Sequence, residues 1–396
     1  MTLMFQKRLV LKSALGLVAA ALSSAAAAAD TGPIKIGLIL PMTGQSASTG
    51  RQIDAAVKLW VAQNGNKIAG RTVEIILKDD GAVPDTTKRI AQEMIVNDHV
   101  AVIAGFGITP TALATAPLGT QSKTPMVVMA AATSSITEAS PYFIRTSFTL
   151  PQVTIGIADW AAKNKIKKVV TLVADYGPGF DAEKFFDSQF RLDGGQILDK
   201  LRTPLKSPDF APVLQRVADT KPDALFVFLP SGQGATFMKQ FAERGLDKSG
   251  VKLIATGDVT DDDQLNDMGD VALGVVNSHH YSAAHPSAAN KKFVEAFQAA
   301  NKFRPNFMAV GGYDGMRVIY KALETTKGAG GEALLNAMKG QIFESPRGPV
   351  LIDGQTRDIV QDVYIRKVER VPAMGNGLYN VEFDVIKAVK DPGKAK

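Results

Sequence analysis

The sequence predicts an α/β chain of two lobes, each a parallel sheet covered by helices. Three observations carry that expectation. Apolar runs rich in β-branched residues recur along the chain, and stretches with a helical apolar stripe separate them. At 396 residues the chain also exceeds the roughly 250–300 residues beyond which a single core stops growing.

The first element reads as an address. Lys7, Arg8 and Lys12 precede a short apolar run over 13–22, and small residues lead to Ala27-Ala28-Ala29 before Asp30. A basic start, a short apolar core and an A-x-A site define a secretory signal peptide over 1–29, cleaved after Ala29. A membrane span would need about 20 strongly apolar residues, more than this segment offers. The chain has no cysteine, so it lacks the residue that carries the lipid of a bacterial lipoprotein. Export without an anchor points to the periplasm of a diderm bacterium. Cleavage would remove three basic residues and no acidic ones, lowering the formal charge from +6 to +3. No arginine-rich stripe with interleaved aromatics appears, so nucleic acid is not an expected partner. The lysine-rich end, 387–396, reads as a frayed terminus.

Strands are expected at Ile34–Leu40, 73–77, 100–104, 126–129, 169–173, 224–229 and 253–255. Such runs are apolar on both faces, as in a parallel sheet buried between helices. Between the first two, Ile53, Ala56, Val57, Trp60 and Val61 form one helical stripe. Asp85, behind Pro84, is expected to cap a helix that turns Ile90, Met94 and Ile95 inward. Alternation of this kind specifies right-handed βαβ units. The first lobe should end near 141–148, and a second α/β series begins with a helix around 155–162. Extended chain follows at 275–281, then helices at Ala288–Asn301 and 310–327, and a strand over 361–369.

Enzyme signatures are missing: no Gly-x-Ser-x-Gly elbow, no His-Glu-x-x-His and no phosphate loop occurs. Gly105-Phe106-Gly107 opens a helix after a strand, but Pro110 stands where a dinucleotide fingerprint needs its third glycine. Thr109 as N-cap with Pro110 at the first turn instead suits a small anion, because the first amides of a helix lack internal partners. The turn 130–135 offers a second polar site at the same sheet edge, or simply a helix cap at Thr133 or Ser134. Asp258 ends the strand 253–255 on the opposite side, where a carboxylate could meet a ligand ammonium. Asp261, Asp262 and Asp263 precede Leu265 and read as helix-capping acids rather than a metal site. His279 and His280 should alternate faces of an extended segment, so no shared ion is expected. Tyr176, in a strand-end turn, could wall a cleft.

These residues make the chain resemble the leucine/isoleucine/valine-binding proteins, amino-acid receptors of periplasmic ABC importers. The likeness starts at Ile34-Lys35-Ile36-Gly37-Leu38-Ile39-Leu40-Pro41-Met42-Thr43-Gly44 and continues through Lys78-Asp79-Asp80, Gly105 to Thr111, Thr133, Asp175-Tyr176-Gly177 and Thr256-Gly257-Asp258. The resemblance implies a type I periplasmic binding fold: two Rossmann-like lobes joined by a three-segment hinge. Its domains would be lobe 1 at 30–147 and 277–347, and lobe 2 at 148–276 and 348–396. Thr109, Thr133 and the backbone near Ala131 would hold a carboxylate, while Tyr176 and Asp258 would meet an amino group. Thr49 and Ser231 stand near positions of pocket-wall residues and would reshape the side-chain pocket. The implied protein is a monomeric receptor without cofactor, metal or catalytic residue, delivering a branched-chain or related amino acid to membrane permease subunits. A receptor for an amide, urea or aromatic acid, or a ligand-sensing module, shares these features.

Overall fold

Two sheets organise the chain, and the computed structural model describes residues 32–394 of it; the expected signal peptide lies outside those residues. From Ile34 onward the chain forms one compact unit. The first sheet is built from β1 (Ile34–Leu40), β2 (Lys67–Ile68), β3 (Arg71–Asp79), β4 (Val102–Gly105), β5 (Met126–Val128) and β6 (Phe143–Arg145), ordered β2-β3-β1-β4-β5-β6. Every pairing in it is parallel except the short β2–β3 ladder. The residues of β1, β4 and β5 are almost wholly buried, as continuous apolar runs demand.

The second sheet follows with β7 (Lys168–Ala174), β8 (Gln196–Thr203), β9 (Ala224–Phe228), β10 (Lys252–Thr256) and β11 (Val276–His279), parallel to one another. Antiparallel β12 (Ile342–Ser345), β13 (Gly348–Ile352), β14 (Ile359–Val371) and β15 (Gly377–Val389) extend it. The expected strands are present. Among the strands not expected, β8 and β12 alternate between buried and exposed positions over part or all of their length, while β6 is only three residues long. Alternation over a few residues is a weak signal beside a continuous apolar run.

Helix Ala47–Asn64 buries Ile53, Ala56, Val57 and Trp60 as its stripe requires. Helix Phe307–Thr325 packs along it, so chain from beyond β11 returns to the first sheet. Helix Pro84–Val96 begins one residue before Asp85; Val83 occupies the capping position and Asp85 lies in the first turn without a cap bond. The nearby carboxylate that is engaged is Asp80, which accepts from Ala82 N and Thr87 Oγ1.

The connections between the lobes are pinned by buried guanidinium groups. Arg347 donates to the carbonyls of Thr146 and Ser147 and pairs with Asp314 at 2.8 Å. Arg366 donates to Asn277 Oδ1 and Tyr281 O. A fully buried charge is tolerated only with such pairing. The 387–396 segment is not frayed where it is described: Lys387 and the residues to Val389 belong to β15, and Lys394 pairs with Asp358.

Candidate functional site

A small cavity of about 30 Å³ lies at the carboxyl ends of strands from both sheets. From the first lobe it is lined by Thr49, Thr109, Ala130, Ala131 and Ala132, with Phe148 and Met308 beside them. Tyr176, Ser231 and Asp258 line it from the second, following β7, β9 and β10. Ligands of open α/β sheets bind beyond the carboxyl ends of the strands, and here two such edges share one space.

On the first wall, helix Thr109–Ser122 starts at Thr109, with Ile108 rather than Thr109 in the capping position. The expected cap is corrected by one residue, and that frees the hydroxyl. Thr109 Oγ1 lies 2.9 Å from Thr133 Oγ1. Two paired hydroxyls use one proton between them, so one O–H remains to donate. Thr133 and Ser134 do not cap a helix either, since helix Ile136–Ala139 takes Ser135 in that position without a side-chain cap bond. The glycines before the helix serve packing. Gly105 has φ +113°, and a Cβ there would fall 2.2 Å from Ile39 O.

On the second wall, Asp258 is 3% exposed, and its Oδ2 has no hydrogen-bond partner among the described residues. It lies 3.4 Å from His279 Nε2. Burial pushes the His279 imidazole down to about 4, against the partial compensation of Asp258. His279 is therefore neutral near pH 7. Burial, and next to it the charge of Asp258, pushes the Tyr176 hydroxyl well above the usual phenol range. Gly257 precedes Asp258 because a Cβ there would strike Arg366 Nη2 at 1.8 Å.

His279 and His280 do not part to opposite faces. Their ring centroids are 4.5 Å apart, and both rings lie against Phe148. β11 ends at His279, so strand alternation no longer governs the next residue. Among the described residues no group of three His, Cys, Asp or Glu side chains could hold a metal.

The acidic run is also corrected. Gln264, not an aspartate, occupies the cap of helix Leu265–Met268. Asp263 Oδ2 accepts from Ser48 Oγ and Arg51 Nη2 of the first lobe, both at 2.8 Å. Asp261 Oδ2 accepts from Ser231 Oγ and, at 2.9 Å, from Asn306 Nδ2. Burial, with Asp263 adding to it, pushes the Asp261 carboxyl up to about 7 despite those two bonds. Asp262 accepts from Asn380 Nδ2. The Asp263 bonds to Ser48 and Arg51, the Asp261 bond to Asn306, and Ser134 N donating to Asp181 Oδ2 at 2.9 Å describe lobes closed on each other. Gly177 fits the same state: a Cβ there would lie 2.7 Å from Thr133 Oγ1.

Six of the seven expected residues, Thr49, Thr109, Ala131, Tyr176, Ser231 and Asp258, line the cavity, and Thr133 touches it through Thr109. The hydroxyl of Ser231 is committed to Asp261. Phe148 and Met308 also line the cavity and were not expected: Phe148 lies on a connection between the lobes and Met308 on a helix returning from far along the chain, so no local pattern marks them.

Two sheets whose strand ends enclose one small cavity define a two-lobed ligand receptor. The periplasmic binding protein family matches residues 33–375, and the chain belongs to that family. Leu/Ile/Val-binding protein homolog 6 of Brucella melitensis is 42% identical, covering 94% of this chain and 97% of that one. A solute-binding protein of an ABC transporter from Rhodopseudomonas palustris BisB5, solved with 3,4-dihydroxybenzoic acid, is 63% identical with a TM-score of 0.90, covering 92% of this chain and 99% of that one. Another from Rhodopseudomonas palustris HaA2, solved with p-hydroxybenzoic acid, is 42% identical with a TM-score of 0.88, over 92% and 99%. The protein is thus a solute-binding protein of the ABC-transporter type, and its family is one of receptors, not enzymes.

Proposed function

We propose that this receptor carries a hydroxylated aromatic carboxylate rather than a branched-chain amino acid. The observation that carries this reading is the 63% identity to a receptor solved with 3,4-dihydroxybenzoic acid. The cavity suits such a cargo chemically. Phe148, Tyr176 and Met308 offer flat or adaptable apolar walls. The carboxylate would sit at the Thr109–Thr133 hydroxyls, the Ala132 N–H that follows Ala131 (whose own N–H is bonded to Phe106 O) and the amino terminus of helix Thr109–Ser122, where unpaired N–H groups favour an anion. The ring hydroxyl would donate to Asp258, whose unpartnered oxygen needs a donor.

Binding would work by closure. The cargo favours the closed state only through its greater affinity for that state, contributed here by contacts from both walls. The closed form would then be presented to permease subunits, by a monomer exported to the periplasm with a signal peptide cleaved after Ala29.

A second reading keeps the amino acid, with Asp258 meeting an ammonium; the name of the Brucella relative favours it. Calorimetric titration with 4-hydroxybenzoate, 3,4-dihydroxybenzoate, benzoate, leucine and valine separates the two. Tight binding of the hydroxybenzoates, weaker binding of benzoate and none of leucine is expected. Tight leucine binding with silent hydroxybenzoates would overturn the aromatic reading.

A further inference from the structure

We propose that Arg145, braced by Asp358 and by the 390–394 segment, is the positioning residue that aims the 130–134 turn at the cargo's carboxylate. This inference rests on the carboxylate end proposed above and concerns residues that lie behind it. Arg145 ends β6 and is fully buried. Its guanidinium donates to four carbonyls: Ala131 at 3.3 Å, Phe148 at 3.0 Å, Thr133 at 2.7 Å and Ser134 at 3.4 Å.

In a trans peptide the C=O and the following N–H point in opposite directions. Drawing the Ala131 carbonyl back onto Arg145 therefore turns the Ala132 N–H the other way, on a stretch that lines the cavity. Drawing back the Thr133 carbonyl turns the Ser134 N–H outward, and it meets Asp181 Oδ2 of the second lobe at 2.9 Å. One cation thus sets both a cargo-facing amide and an amide that bonds across the closed lobes.

The guanidinium is itself held in place. Arg145 Nε pairs with Asp358 Oδ1 at 2.8 Å, and Thr137 Oγ1 donates to Asp358 Oδ2. Chain leaving β15 then reaches the same turn from outside. Ser134 Oγ donates to Asp391 Oδ2 at 2.6 Å, and Lys394 Nζ donates to Ser134 O. Lys394 also lies 3.5 Å from Asp358 Oδ2 with its side chain only 8% exposed. A segment running from the second sheet therefore ends on the binding turn of the first.

The test compares Lys394→Ala, Asp391→Asn and Arg145→Lys with the wild type. Affinities for 4-hydroxybenzoate and for neutral 4-hydroxybenzamide are measured by calorimetry, and hydrogen exchange over 130–136 is followed without ligand. Lys394→Ala should speed exchange in the turn and weaken the carboxylate about tenfold while the amide loses less than about threefold. Lys394→Arg should restore the carboxylate. Equal weakening of both ligands, or unchanged exchange and affinity, would overturn the proposal. Arg145→Lys keeps the charge without the fork, and should lose more than Lys394→Ala; if it fails to fold, the tail variants decide alone. Should the wild type bind neither aromatic ligand, the proposed cargo is wrong, and the ligand-free exchange still decides whether the brace orients the turn.

Discussion

The two walls of the cavity are built from different materials. The first presents backbone and small side chains: Thr109, Ala131 and Thr133 at the starts of turns and helices, backed by Arg145. The second presents side chains, Tyr176 and an Asp258 whose Oδ2 has no hydrogen-bond partner among the described residues, with His279 behind them. A backbone wall recognises what many ligands share, such as a carboxylate, because its donors are fixed by the fold. A side-chain wall recognises what distinguishes them, because one substitution changes its donors and acceptors. The difference teaches where specificity should reside.

The sharpest way to break this contrast is Asp258→Ala. It removes the charged acceptor and should lower cargo affinity by about 2–3 kcal/mol, read by calorimetry. An unchanged affinity would make the second wall mere scaffold. Gly177→Ala comes next, because its Cβ would approach Thr133 Oγ1 at 2.7 Å only when the lobes meet. It should cost about 1–2 kcal/mol of binding while the ligand-free melting temperature holds; a matching loss of melting temperature would place the strain elsewhere. On the first wall, Thr109→Val should cost only about 1 kcal/mol, since the backbone donors remain. A loss as large as that of Asp258→Ala would erase the distinction between the walls.

The interlobe carboxylates sharpen it by pH. Asp261, with its ordinary value at 3.8, is raised to about 7 in the fold. A raised carboxyl binds more protons folded than unfolded, so its contribution is present below pH 3.8 and is lost as pH rises to about 7. His279 runs the other way: lowered from 6.5 to about 4, its contribution is present above pH 6.5 and lost as pH falls toward 4. Denaturant melts of Asp261→Asn between pH 3.8 and about 7 should lack the loss of stability with rising pH that Asp261 is expected to give the parent chain. The smallest effect belongs to Asp263→Ala, which breaks a pair whose Arg51 side chain is 54% exposed. It should weaken binding by under about 1 kcal/mol, seen mostly as faster dissociation.

Much of this architecture could be read from residue order. The stripe from Ile53 to Trp60, the buried strands and the helix Ala288–Asn301 are local patterns, and they recur in the structure as read. Thr109, Tyr176 and Asp258 were legible because strand-end turns declare themselves by Gly, Pro and small polar residues. Phe148, Met308 and Arg145 were not, because nothing near them in sequence shows which distant carbonyl or ring they meet.

By itself, then, the sequence determined the periodicities, and through them the parallel sheets and the edge where a ligand can enter. Only the tertiary structure decided what the acids and cations do. Asp261 and Asp263 became ties between lobes rather than caps, His279 and His280 came together, and Lys394 folded onto Ser134. The physical reason is that burial and pairing of a charge depend on what arrives from elsewhere in the chain, while helix and strand periods depend on neighbours a few residues away.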